Sequence, residues 1–138
     1  MNVPLLDLDA IHRPLRDRLV AAFARTLDSH AFILGPEVDA FEREVVAYLG
    51  DASTHAVACA SGTDALILAF RALEIGPGDD VIVPAYSFTS TATAVALCGA
   101  RPRFIDVEPD TLNLDIGGVA AALTPATRAV VAVHLFGR

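Results

Sequence analysis

The sequence predicts an α/β fold in which a largely parallel sheet is covered by helices on both faces. Three observations carry this reading. Apolar runs without polar alternation recur, as at residues 81–83 and 129–135, the pattern of strands buried on both faces. Stretches with helical periodicity separate them, so strand and helix alternate along the chain. Turn clusters such as Ile75-Gly76-Pro77-Gly78-Asp79-Asp80 punctuate the changes. Right-handed crossovers then place the strand ends, and any ligand, along one edge.

The elements follow in order. Leu15, Leu19, Phe23 and Leu27 repeat every four residues and, with Val20, form an apolar helical stripe. A second helix starts at Gly35-Pro36-Glu37, because proline suits the first helical position and glutamate its positive end. Val38, Phe41, Val45, Tyr48 and Leu49 form the face expected to be buried, and Gly50 is the stop. These helices precede any strand, so residues 1–50 read as a helical arm. The βα pattern then begins, and residues 51–138 read as part of a larger domain. Its expected strands are 57–59, 81–84, 103–107 and 129–135. Its expected helices are about 62–73, 89–98 and 115–123, the last weakened by Gly117-Gly118. The chain stops immediately after the last strand, so the expectation is the front part of something longer.

Composition narrows the function. In 138 residues, 54% are hydrophobic and 20% charged, which suits a core-forming protein. Ten basic against seventeen acidic residues give a net charge of −7. That disfavours nucleic acid, whose phosphates call for clustered cations. No apolar run reaches the roughly 18 residues of a membrane span, and the N-terminus lacks the basic start of a secretory signal. A cytoplasmic location is expected. Cys59 and Cys98 lie apart in apolar surroundings and read as small buried hydrophobes rather than a disulfide or metal site.

Four features carry chemistry. Ala60-Ser61-Gly62-Thr63-Asp64-Ala65-Leu66 reads as a small-residue turn opening a helix. A helix N-terminus has unpaired amides and partial positive charge, so it suits an anion. Gly62 lets a ligand approach, and Ser61 and Thr63 add hydroxyls. The bland reading is a capped helix of the Ser-x-x-Asp kind, and neither common glycine-rich nucleotide loop is present. Pro84-Ala85-Tyr86-Ser87-Phe88-Thr89-Ser90-Thr91 brings two aromatics and four hydroxyls to the ligand edge. An aromatic ring there suits a flat cofactor, although a turn with core aromatics gives the same pattern. Asp106, Glu108, Asp110 and Asn113 read as a solvated loop more readily than as a metal or acid–base site. His134 ends a buried run, as a structural histidine or a substrate contact. Finally, all ten basic residues are arginine, so the chain contains no lysine.

Taken in order, these pieces are specific. Phe32-Ile33-Leu34-Gly35-Pro36-Glu37-Val38, Phe41-Glu42, Ser61-Gly62-Thr63-Asp64-Ala65-Leu66 and Gly76-Pro77-Gly78-Asp79-Asp80-Val81-Ile82-Val83-Pro84 lead the set. Ser87-Phe88, Gly99-Ala100-Arg101-Pro102-Arg103-Phe104-Ile105-Asp106-Val107, Asn113-Leu114-Asp115 and Val133-His134-Leu135-Phe136-Gly137 complete it. From about Pro4 to Arg138 the chain resembles the DegT/DnrJ/EryC1/StrS family of pyridoxal-phosphate-dependent sugar aminotransferases. The resemblance implies a three-layer sandwich, the N-terminal part of the large domain of the aspartate-aminotransferase-like fold (fold type I). It implies a homodimer acting on a nucleotide-linked keto-sugar, with glutamate as amino donor, in the making of cell-envelope or antibiotic sugars. Carried over by motif, Thr63 and Asp64 meet the phosphate of pyridoxal 5′-phosphate, Ser61 and Gly62 shape the turn, and Phe88 stacks on the ring. Phe32, Tyr86, Thr91 and His134 lie near the substrate. The departure is the missing Schiff-base lysine, so no catalytic residue is assigned and the chain alone is expected to be inactive. The alternatives are a non-catalytic α/β module that binds a phosphorylated ligand or a partner, and the front of a pyridoxal-phosphate-dependent sugar dehydratase.

Overall fold

Helix starts and stops in this chain follow local chemistry closely. The structure, a computed structural model, describes residues 6–50 and 55–137. It divides into two compact units, Met1–Ala58 and Cys59–Arg138. The expected boundary after residue 50 adjoins residues 51–54, which lie outside the described residues.

The first unit is helical. A short helix α1, Leu8–His12, is capped by Asp7, whose carboxylate accepts the Ala10 N–H at 3.0 Å. A 3-10 turn at Arg13–Leu15 leads into α2, Arg16–Ser29. Helix α3, Pro36–Leu49, has proline at its first position and ends at Gly50 in the left-handed region, φ 73°. The Arg25 guanidinium donates to Glu37 at 3.1 Å, across the segment between α2 and α3. Two expectations are corrected here. The stripe of α2 and the apolar face of α3 are not buried: Phe23, Phe41 and Tyr48 are exposed. A helix packs its stripe only where a facing layer exists. The expected strand at 57–59 does not form either. A strand needs a neighbour for its amides, and here the Ala58 N–H donates to the Glu42 carboxylate at 2.7 Å.

The second unit is an α/β layer structure. Its elements are α4 (Gly62–Ala72), β1 (Asp80–Pro84), α5 (Ser90–Leu97), β2 (Arg101–Ile105), α6 (Ile116–Ala122) and β3 (Thr127–Val130). The strands form one parallel sheet in the order β2-β1-β3. Every residue of β1 is buried, as its unalternated sequence requires. Val81 and Val83 pack with Phe70 of α4 and Ala94 and Val95 of α5 on one face. On the other face α6 lies against β2, where Gly118 comes close to Ile105. Helices on both faces of a parallel sheet make the three-layer α/β fold.

Register explains two further differences. β2 starts at Arg101 rather than residue 103, with the Arg101 N–H donating to the Asp79 carbonyl at 2.9 Å. Pro102 is tolerated because an edge strand need not donate on both sides. β3 ends at Val130, short of the expected 135. Its pairing with β1 skips Arg128 at a bulge. Val131 makes one more bond, to the Ile82 carbonyl at 2.9 Å, before the run leaves the sheet. Cys59 and Cys98 are free thiols, and Cys59 is exposed rather than buried. No helix among the described residues is long and apolar enough to cross a membrane.

Candidate functional site

The parallel sheet delivers three connections to one edge: residues 85–89 after β1, 106–108 after β2 and 131–134 after β3. Helix α4 reaches β1 through a short turn held by Ile75 N–H on the Phe70 carbonyl at 2.9 Å. A helix that leads into the start of a strand and packs back along it directs its own N-terminus toward that strand's far end. The head of α4 and the three connections therefore share one side of the sheet.

The head of α4 is built by Ser61. Its backbone is extended, and its Oγ accepts the Asp64 N–H at 3.1 Å. The Ser61 hydroxyl also donates to the Asp64 carboxylate at 2.8 Å. Ser61 and Asp64 thus close on each other as a capping pair. The amides of Gly62 and Thr63 have no carbonyl one turn back to bond. A Cβ placed on Gly62 would meet nothing within 4 Å, so the space beside this turn is open. The donors this turn offers are the Gly62 and Thr63 amides at the helix start, and Thr63 also carries a hydroxyl. A phosphate fits that donor set and the positive helix end.

The second component is the segment after β1. Ala85 extends the ladder by one bond, its N–H on the Ile105 carbonyl at 2.8 Å. Tyr86 and Phe88 then stand exposed, Phe88 at 75%. An exposed large aromatic ring at a ligand edge offers a flat stacking face. Thr91 is the buried member of the expected set, at 6% exposed, with its Oγ1 3.3 Å from Ser87 Oγ. His134 borders an apolar pocket of about 300 Å³ with Leu114, Val130 and Val133. Its carbonyl accepts the Gly137 N–H at 3.0 Å. Phe32 is exposed on the connection between α2 and α3, in the first unit. The Asp106 carboxylate is engaged locally by the Val107 N–H at 2.8 Å.

The sequence reading missed the Ser87–Thr91 hydroxyl pair and the engagement of Glu42 with Ala58. Two hydroxyls four residues apart at a helix start signal the first. The second spans residues 42 and 58 and leaves no local signal.

Residues 14–138 match the DegT/DnrJ/EryC1/StrS aminotransferase family. The chain belongs to that family. It is similar to a UDP-N-acetyl-3-dehydro-alpha-D-glucosamine 3-aminotransferase of Acidithiobacillus ferrooxidans, 50% identical over 98% of this chain and 36% of that protein. Among solved structures it is similar to S. venezuelae DesV in complex with a ketimine intermediate. That likeness has a TM-score of 0.91 and 47% identity, over 99% of this chain and 36% of that one. It is also similar to NtdA of Bacillus subtilis with bound cofactor PMP, with a TM-score of 0.91 and 33% identity over 99% of this chain and 31% of that one. The chain spans about a third of the length of the curated relatives it matches. The family is one of aminotransferases, and the solved NtdA structure holds its cofactor as PMP. The part of the fold this chain contains is the layered α/β part, with the head of α4 and the connection after β1.

Proposed function

We infer that this chain supplies the phosphate- and ring-holding part of an aminotransferase that aminates a nucleotide-linked keto-sugar. What supports the reading is an open helix head at Gly62 and Thr63, together with an exposed Phe88 on the connection after β1. The Gly62 and Thr63 amides and the Thr63 hydroxyl would hold the phosphate of pyridoxal 5′-phosphate, and Phe88 would cover its ring. Ser61 and Asp64 shape the turn. Asp64 acts through the cap, because its amide is spent on Ser61 and its carboxylate would repel a phosphate brought against it. When bound, the cofactor supplies a carbonyl and an electron-withdrawing ring that carry an amino group between donor and acceptor. Glutamate is the donor in this reading. Tyr86 and His134 lie near the sugar, the working unit is a homodimer, and the compartment is the cytoplasm.

The amine that bonds the cofactor covalently is not in this chain, since all its basic residues are arginine. Two outcomes are therefore expected. The purified chain binds pyridoxal 5′-phosphate reversibly in equilibrium dialysis, and Thr63→Val weakens that binding about tenfold by removing a hydroxyl donor to a charged phosphate. The chain alone does not transaminate between glutamate and a UDP- or dTDP-linked keto-sugar. Unchanged affinity in Thr63→Val removes Thr63 from the site, and glutamate-dependent turnover by the pure chain overturns the account of its inactivity. The lysine-free composition also favours a second reading, a non-catalytic module for phosphorylated ligands. Equal affinity for inorganic phosphate and pyridoxal 5′-phosphate would support that module over the cofactor site.

A further inference from the structure

Thr91 makes bonds to Ser87 and to Phe88 itself. Its hydroxyl lies 3.3 Å from Ser87 Oγ, and its amide donates to the Phe88 carbonyl at 3.3 Å. Along 86–88 the side chains alternate: Tyr86 and Phe88 are exposed, while Ser87 is half-buried between them. The start of α5 lacks an ordinary cap, because Thr89 takes αR geometry and its side chain makes no capping hydrogen bond. Ser87, four residues ahead of Thr91, is tied to the first turn of α5 through the Thr91 hydroxyl rather than through a backbone amide.

We propose that Ser87 and Thr91 are positioning residues whose hydroxyl pair fixes the connection after β1 and so holds the Phe88 ring in place for the cofactor. The proposal rests on the cofactor-site reading above for the purpose it assigns to the ring. Thr91 acts from within the fold. At 6% exposed its side chain is largely shielded from solvent. A buried hydroxyl stays inside because it is bonded. Valine keeps its shape and loses that bond, so Thr91→Val isolates the hydroxyl. Tyr86 and Phe88 gain no comparable restraint from their surroundings, since both are more than half exposed. A bond at the root of the connection is then the economical way to limit their motion, because ordering the ring before binding removes an entropy cost from binding itself.

The test uses the 138-residue chain in five forms: wild type, Thr91→Val, Thr91→Ser, Ser87→Ala and the Ser87→Ala/Thr91→Val double variant. Two readouts are taken. Amide hydrogen exchange across residues 86–91 reports the free chain. Induced circular dichroism of added pyridoxal 5′-phosphate reports how the ring is held. Thr91→Val and Ser87→Ala are each expected to speed exchange about tenfold, the worth of one hydrogen bond, and to diminish the induced signal. Thr91→Ser restores both. The double variant is no worse than either single one, because residues in one bond are non-additive. Ser87→Ala lies outside the core and decides the matter if Thr91→Val unfolds. Unchanged exchange in Ser87→Ala, or additive effects in the double variant, overturns the pair while an induced signal in the wild type leaves the cofactor reading standing. No induced signal in the wild type, with coupled exchange intact, defeats the cofactor reading and keeps the hydroxyl pair as the anchor of the connection.

Discussion

Asp80 is 1% exposed and carries three hydrogen bonds from two arginines. Arg101 donates through Nε at 2.7 Å and Nη2 at 3.0 Å, and Arg103 through Nη1 at 3.2 Å. The Arg101 hydrogen bond holds the Asp80 carboxyl below the usual carboxylate range; burial opposes it and Arg103 adds to it. Bonding to Asp80 raises the Arg101 guanidinium in turn. The folded state thus favours the ionised acid more than the unfolded chain does. That stabilisation is present above the ordinary carboxylate range and is lost as the pH falls from that range through the depressed folded value. Arg101 is itself 70% exposed, so water screens much of the attraction. Acid unfolding followed by circular dichroism should show Asp80→Asn less stable than wild type at neutral pH, and less sensitive than wild type across the acid window. Parallel acid profiles would remove Asp80 as a source of the pH dependence. The sequence alone showed Asp79-Asp80 only as a polar turn. The partners lie 21 and 23 residues away and are supplied by the parallel register that sets Asp80 beside Arg101.

Elements show where local signals suffice. Pro36 and Gly50 bounded α3 to the residue, and Ser61 with Asp64 marked the head of α4, because caps and stops are chemistry between near neighbours. Strands depended on partners that sequence does not display. The run at 56–59 is apolar enough for a strand, yet Ala58 bonds Glu42 instead. β3 stopped at Val130 although the apolar run continues to residue 135. Gly117-Gly118 looked like a helix weakness, and the structure gives Gly118 a packing reason. A Cβ there would come within 2.9 Å of Ile105 Cγ2 and of Asp115 Oδ2. Gly118→Ala should therefore cost about 1–3 kcal/mol in denaturant unfolding through overpacking, despite alanine's better helix propensity. Gly62→Ala is the contrast, because its Cβ meets nothing within 4 Å. It should leave unfolding unchanged or raise stability by up to about 1 kcal/mol, while weakening pyridoxal 5′-phosphate binding if the turn holds a phosphate. A Gly118→Ala variant as stable as wild type would show that α6 can shift away from β2 without cost.

At the scale of the whole molecule, the order of the motifs was the legible part. Ser61 to Leu66, Gly76 to Pro84, and His134 to Gly137 follow one another within the residues that match the family, and order along a chain is read directly from its sequence. Burial was not legible, because an amphipathic stripe says which side of a helix is apolar and not what covers it. Phe23 on α2 and Tyr48 on α3 are 70% and 91% exposed, with Leu19, Leu27, Phe41 and Leu49 exposed on the same two helices. Apolar surface on this scale is unusual for a protein that stays a monomer. The 138-residue chain should therefore self-associate as its concentration rises in sedimentation velocity, and should bind an environment-sensitive apolar dye. Phe23→Asp should reduce both effects, since it places a charge where a facing surface would have to desolvate it. The substitution removes no contact from the core around Val81 and Val83, so the melting of the sheet should not move with it. A chain that stays monomeric at every concentration and leaves the dye dark would show that these side chains find cover within a single copy.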